Sequence, residues 1–144
     1  MGVGMPADLF LNQFGDLVYR AFGEHAYHVG SSVREKLWRD VDVRVMLADD
    51  VYEHLGLGKS WRDSHQNARW MAFCAAFSAL GKQMTGLPID FQVQKLSEAN
   101  EMFGHGYRSC LGIEGLMMDV MPAPAETGRA VDQLIAQSKA KQEA

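Results

Sequence analysis

The stretch DVDVRVML, residues 40–47, shows the clearest alternation of polar and apolar residues in the chain. A period of two is typical of a β-strand that is buried on one face and open on the other. The pattern therefore predicts a strand whose valines face a core. Asp40, Asp42 and Arg44 then share the opposite face, because side chains two residues apart on a strand point the same way.

The segment before this strand predicts a helix, a short strand and a glycine turn. Apolar residues recur at helical spacing over about 7–22, and Gly23 follows where a helix cap belongs. We expect a short strand over about 25–29, which runs into Gly30 and Ser31 and then a helical turn. Glycine lets a backbone approach a phosphate closely, and the N–H groups of a following turn bind anions. Gly30 and the Ser31 hydroxyl are thus a candidate phosphate site.

The segment after the strand predicts a long helix and then another strand. An apolar stripe predicts the helix over about 61–84, with Ser60 and Asp63 in the pattern of a capping box. Gly86 and Pro88 end it, and a strand over about 89–93 carries Asp90. A short helix with Ser97 at its cap is expected to end by residue 104.

Three carboxylates converge if the two acidic strands are neighbours. Asp40 and Asp42 come from one strand and Asp90 from the other. Such a cluster is electrostatically costly unless a divalent cation neutralises it. Carboxylate oxygens suit Mg²⁺ or Mn²⁺, and two such ions can clamp the attacking and leaving oxygens of a phosphoryl displacement. The commoner interpretation of an isolated Asp-x-Asp pair is a solvated strand face.

The glycine turn and the acids together resemble a known signature. Val29-Gly30-Ser31, a spacer of eight residues and the segment beginning at Asp40 are similar to the motif of the DNA polymerase beta-like nucleotidyltransferase superfamily. Asp90 matches that family's third acid. The resemblance covers about residues 7–95, and the spacer is shorter than is usual in the family. Larger members carry a further helical domain for the acceptor, and we do not expect such a domain within these 144 residues.

The resemblance implies an α+β, nucleotidyltransferase-like fold, with a small mixed sheet flanked by helices and a helical C-terminal extension. It implies transfer of a nucleoside monophosphate from an NTP, with ATP favoured, to an unknown acceptor (a small molecule, a protein or an RNA end), with release of pyrophosphate. Asp40 and Asp42 would hold Mg²⁺ or Mn²⁺, and Asp90 would complete the site of the attacking oxygen. Gly30 and Ser31 would hold the outgoing phosphates.

Several polar residues near the motif have two interpretations. Ser32 and Arg34 are candidate phosphate contacts, although Arg34 fits a solvated helical face equally well. Arg44 either pairs with an acid or touches a nucleotide phosphate. Tyr107 and Arg108 lie in a Gly-flanked segment that is expected to be an ordinary loop. The alternative is that they bind a base and a phosphate.

Composition limits the class of protein. The 144 residues are 47% apolar, and 14 basic residues against 18 acidic ones give a net charge of −4, which disfavours a long nucleic acid as acceptor. No run of ~18 apolar residues predicts a membrane span. Residues 1–6 do not resemble a signal peptide, and the two cysteines form no CxxC pair, so we expect a cytoplasmic protein.

Two segments are expected, a nucleotidyltransferase-like domain over 1–121 and a weakly amphipathic helical tail over 122–144. The tail is a candidate contact for a second copy or for a partner protein. Two other functions remain open: a non-catalytic module of the same fold, such as an antitoxin-like partner, and a generic α+β binding domain whose acids are surface charges.

Overall fold

The protein is described by a computed structural model at residues 2–30, 33, 39–104, 106–112, 136, 137 and 139. Its helices and strands follow in chain order: α1 (Ala7–Phe22), β1 (Ala26–Val29), β2 (Val41–Leu47), α2 (Asp49–His54), α3 (Trp61–Ser64), α4 (Ala68–Thr85), β3 (Ile89–Lys95), α5 (Leu96–Phe103) and β4 (Arg108–Cys110). The sheet has the strand order β3-β2-β1-β4, with β2 parallel to β3 and antiparallel to β1. The α+β class with a small mixed sheet flanked by helices is confirmed.

The core lies on one face of this sheet. The alternating apolar residues of β2, from Val41 to Leu47, are at most 1% exposed, as their period predicts. Helices α1 and α4 cover this face, and Phe14 of α1 meets Phe91 of β3 edge to face, with 6.0 Å between ring centroids. Because both helices pack on the same side, the polar side chains of β2 and β3 are left on the other side.

Strand β3 is an edge strand whose free backbone groups are bonded by side chains of α4. The Phe91 N–H donates to Ser78 Oγ at 2.9 Å, and the Trp70 indole N–H donates to the Val93 carbonyl at 2.9 Å. An unpaired strand edge invites association with other chains. Helix α4 therefore both covers the core and satisfies part of this edge.

Replacing Ser78 tests the contribution of this edge bond. Ser78→Ala leaves the half-buried Phe91 N–H without its partner, so we expect the free energy of unfolding to fall by about 1–2 kcal/mol. Ser60→Ala is the matched control, because the Ser60 side chain caps no helix, and it should change stability by less than about 0.5 kcal/mol. Chemical denaturation measures both, and equal losses would contradict the role given to Ser78.

The predicted helix over 61–84 is wrong as a single element, since it is divided into α3 and α4. Asn67 has extended backbone angles, and its side-chain oxygen accepts the Trp70 N–H at 3.0 Å, so it caps α4. The capping box predicted at Ser60 does not form. A polar side chain that accepts a hydrogen bond from the backbone N–H three residues later favours the start of a new helix at that point. The prediction of one helix relied on the apolar stripe and overlooked Asn67 as a helix cap.

Other boundaries differ in smaller ways. Asp40 lies just before β2, Lys95 rather than Ser97 occupies the cap position of α5, and β4 was not predicted because it is only three residues long. The helical turn expected at 33–37 and the tail at 122–144 fall almost wholly outside the described residues. Within the part of the chain that the structure describes, no helix is long and apolar enough to cross a membrane.

Candidate functional site

The structure places two of the predicted acids side by side. Asp42 and Asp90 are direct register partners on the parallel strands β2 and β3. Their side chains are 30% and 45% exposed, on the sheet face opposite the core. Asp40 is exposed just ahead of β2 and is close enough for its charge to affect Asp42. The neighbouring strands on which the predicted convergence depends are therefore present.

Arg44 bonds to this acidic pair. Its Nη1 donates to the Asp90 carbonyl at 2.6 Å, and its Nη2 lies 3.4 Å from Asp90 Oδ2 and 3.7 Å from Asp42 Oδ1. The Arg44 side chain is only 12% exposed. One guanidinium therefore faces two carboxylates, and it holds Asp90 through both its backbone and its side chain. Of the two interpretations given to Arg44, the acid pairing is the one observed.

The Asp42 carboxyl is in an environment that disfavours its charge. Burial is the main cause that raises its pKa above the usual value, and the nearby charges of Asp90 and Asp40 act in the same direction. A hydrogen bond with the Asp90 carboxyl also raises the pKa of Asp42, whereas Arg44 lowers it. At Asp42, the nearby guanidinium does not outweigh burial and the neighbouring acids.

The donor set fits a hard divalent cation in its chemistry, since carboxylate oxygens whose charge is incompletely compensated are the ligands that Mg²⁺ and Mn²⁺ take. Asp40 and Asp42 would hold such an ion, with Asp90 beside them to complete the site. Over the described ranges, no group of three or more histidine, cysteine or acidic side chains is already arranged around a common point for a metal ion.

Gly30 lies against the Asp42 carboxylate. It follows the last residue of β1, and Val29 is the register partner of Asp42. Gly30 has φ of +80°, and a Cβ added to it would collide with Asp42 Oδ2. Glycine is therefore required here both for its backbone conformation and for the space it leaves. The other predicted phosphate contacts, Ser31, Ser32 and Arg34, lie outside the described residues.

Replacing Gly30 should separate backbone strain from damage to the site. Gly30→Ala adds the left-handed strain of about 1–2 kcal/mol and also displaces the Asp42 carboxylate. We expect any metal-dependent turnover at these acids to fall about 100-fold, because small displacements of reacting groups carry costs of that order.

Gly86→Ala is the matched control, because Gly86 has φ of +71° and no atom near its absent Cβ. It should lose similar stability and keep its turnover. Stability is measured by thermal melts and turnover by pyrophosphate release. Equal turnover in the two variants would contradict the contact between Gly30 and Asp42.

Asp42 opens into a cleft of about 480 Å³, which we call the acid cleft. Asp90, its neighbour on β3, does not line this cleft. Its walls include Gly30, Asp42 and Arg44. Arg108 of β4, the strand at the other edge of the sheet, and the preceding Tyr107 also line it. The Arg108 guanidinium donates to Asn100 Oδ1 at 3.0 Å and to the Ala99 carbonyl at 2.9 Å. The Gly-flanked segment expected to be a plain loop thus leads into a strand and presents a fixed cation to the cleft.

Sequence reasoning missed two further residues of the cleft, Gln92 and Gln94. They continue the polar face of β3 beyond Asp90, in register with Arg44 and Met46. The alternation in IDFQVQK, residues 89–95, was the signal that would have found them.

The chain was compared with family models, with curated proteins and with solved structures, and it matches none of them.

Proposed function

We propose that this protein is a metal-dependent nucleotidyltransferase that moves a nucleoside monophosphate from an NTP to an acceptor hydroxyl and releases pyrophosphate. The observation that carries the proposal is the Asp42–Asp90 pair beside Gly30, with Asp42 in the wall of an open cleft. Paired carboxylates next to a closely approachable backbone suit phosphoryl transfer, which depends on positioning and charge compensation more than on covalent chemistry.

In this proposal each residue has a distinct role. Asp40 and Asp42 would hold the divalent ion, which would supply compensation for the charge that gathers on the phosphates. Asp90 accepts the proton of the acceptor hydroxyl while the hydroxyl oxygen forms a bond to the α-phosphorus. The bond from that phosphorus to the pyrophosphate oxygen breaks, and Gly30 and Arg108 receive the leaving phosphates. Arg44 keeps Asp90 in place.

The proposal is tested by labelling. The full chain is incubated with each α-labelled NTP in turn, starting with ATP, together with Mg²⁺ or Mn²⁺ and a cell extract. Pyrophosphate release together with a labelled acceptor is the expected result, and Asp90→Asn should abolish both.

Binding measurements give the result that would overturn the proposal. Titration calorimetry with Mg²⁺ and ATP should show an affinity that depends on Asp42 and Asp90. No affinity for any of the four NTPs, with either metal, would overturn the proposal. It would leave the non-catalytic interaction module as the better interpretation of the same acids.

A further inference from the structure

A second, smaller cavity lies at the free edge of β3. It has a volume of about 150 Å³, and we call it the ring pocket. Its lining includes the aromatic rings of Trp61, His65 and Trp70, together with Met102 of α5. The polar part of the lining is formed by Gln92, Gln94, Lys95 and Glu98. The same two glutamines also line the acid cleft. Gln92 and Gln94 therefore lie between the ring pocket and the acid cleft and border both.

The aromatic walls of the ring pocket are held by hydrogen bonds. The Trp70 indole N–H donates to the Val93 carbonyl at 2.9 Å, and the Trp61 backbone N–H donates to Glu98 Oε2 at 2.9 Å. The His65 ring meets Trp61 and Trp70 edge to face, at 5.2 and 5.0 Å between centroids. These contacts prearrange aromatic surfaces around an empty space, and aromatic walls with a few polar groups are typical of ligand sites.

The size of the ring pocket limits its occupant. A cavity of about 150 Å³ accepts a molecule about as large as benzene. The pocket thus has room for one ring, and the amides of Gln92 and Gln94 in its lining can bond polar atoms at the edge of that ring.

The position of the ring pocket identifies the side from which a ligand enters. Gly30 lies at the β1 side of Asp42, and Asp90 lies at the β3 side. In an in-line displacement the attacking and leaving oxygens are on opposite sides of the phosphorus. If the leaving phosphates lie at Gly30, the acceptor approaches from β3. Along β3, at about 3.3 Å per residue, Gln92 is about 7 Å and Gln94 about 13 Å from Asp90.

From these observations we infer that the acceptor is a small molecule whose hydroxyl lies at Asp90 and whose single planar ring occupies the ring pocket. This inference rests on the proposed function, which supplies the direction of transfer. The ring pocket itself requires neither the metal nor the nucleotide.

The first test is therefore binding of a ring without turnover. Benzyl alcohol is titrated into the full chain while the indole N–H signals of Trp61 and Trp70 are followed by NMR. We expect saturable shifts of both signals. Cyclohexylmethanol, which has the same carbon skeleton but no planar ring, should bind about threefold more weakly.

Variants test the location of the ring. Trp61→Ala should weaken benzyl alcohol about tenfold, read from the Trp70 signal, and Met102→Ala should weaken it about threefold. Phe10→Ala is the matched control, because Phe10 is 40% exposed and Trp61 41% exposed, and Phe10 does not line the pocket. Equal affinity in Trp61→Ala and in the unchanged protein, or tighter binding of cyclohexylmethanol, would overturn the inference.

Asp42→Asn separates this inference from the proposed function. It should keep the affinity for benzyl alcohol and lose the affinity for Mg²⁺ and ATP. Ring binding without NTP binding in the unchanged protein supports the pocket and overturns the transferase. NTP binding without ring binding overturns the ring pocket alone. Stimulation of pyrophosphate release by benzyl alcohol, absent in Trp61→Ala, supports both.

Discussion

Asp42→Asn should lower turnover with ATP and Mg²⁺ by about 1,000-fold or more while the fold survives. The amide keeps the shape of the side chain but removes the charge that would hold the divalent ion in the proposed reaction, and a single lost electrostatic contact of this kind costs about that much. Pyrophosphate release measures the change. Asp50→Asn, at an exposed position of α2, is the matched control and should retain full turnover.

The same substitution should stabilise the metal-free protein at neutral pH. Folding raises the pKa of Asp42, chiefly through burial, so the folded state disfavours its ionised form. The cost is absent below the unfolded pKa, near the ordinary value of 3.8, and it develops fully as the pH rises through the folded pKa. Thermal melts with a chelator present should therefore show Asp42→Asn melting higher at pH 7 and equal to the unchanged protein near pH 3.

The stability and the turnover of Asp42→Asn can each contradict the prediction. Unfolding of Asp42→Asn at pH 7 would show that the carboxylate is structural, and full turnover would show that it is not part of a reactive centre. A melting difference that grew as the pH fell would contradict the direction of the pKa shift.

Arg44→Met should produce the largest loss of stability among the site variants, about 2 kcal/mol at pH 7. It removes hydrogen bonds to the carbonyl and carboxylate of Asp90 and leaves two adjacent carboxylates without their guanidinium. Breaking a buried pair from one side costs about 3–5 kcal/mol, and the partial exposure of Asp42 and Asp90 reduces that figure. Urea denaturation measures the change.

Two comparisons identify the cause of the Arg44 effect. Arg20→Met removes an exposed arginine of α1 and should change stability by less than about 0.5 kcal/mol. Mg²⁺ should raise the melting temperature of Arg44→Met more than that of the unchanged protein, because the ion supplies the missing positive charge. A loss equal to that of Arg20→Met, or no response to Mg²⁺, would contradict the compensation of the acids by Arg44.

The sequence was most informative for helices and strands whose own residues carry a clear periodicity. The apolar spacing of α1 and the left-handed Gly23 fixed that helix to its last residue, and the alternation of β2 predicted which valines are buried. These patterns are local, because a helix or a strand imposes its period on neighbouring residues. The same alternation placed Asp42 on the open face of the sheet.

Sequence reasoning was weaker where several local signals compete. The apolar stripe over 61–84 favoured one helix, whereas the Asn67 side chain bonds the Trp70 N–H and separates two. Strand β4 is too short to carry a period of its own. It exists because β1 offers it a free edge, and this pairing brings Arg108 opposite Val29.

By itself, the sequence determined that two acidic strands and a glycine turn exist, because side-chain periodicity and glycine's permitted angles act within a few residues. Only the tertiary structure decided that Asp42 and Asp90 are register partners, that Arg44 bonds to Asp90 from 46 residues away, and that Gln92 and Gln94 line two cavities. Strand order and register follow from how α1 and α4 pack on the whole sheet, and that packing energy is not contained in any one segment.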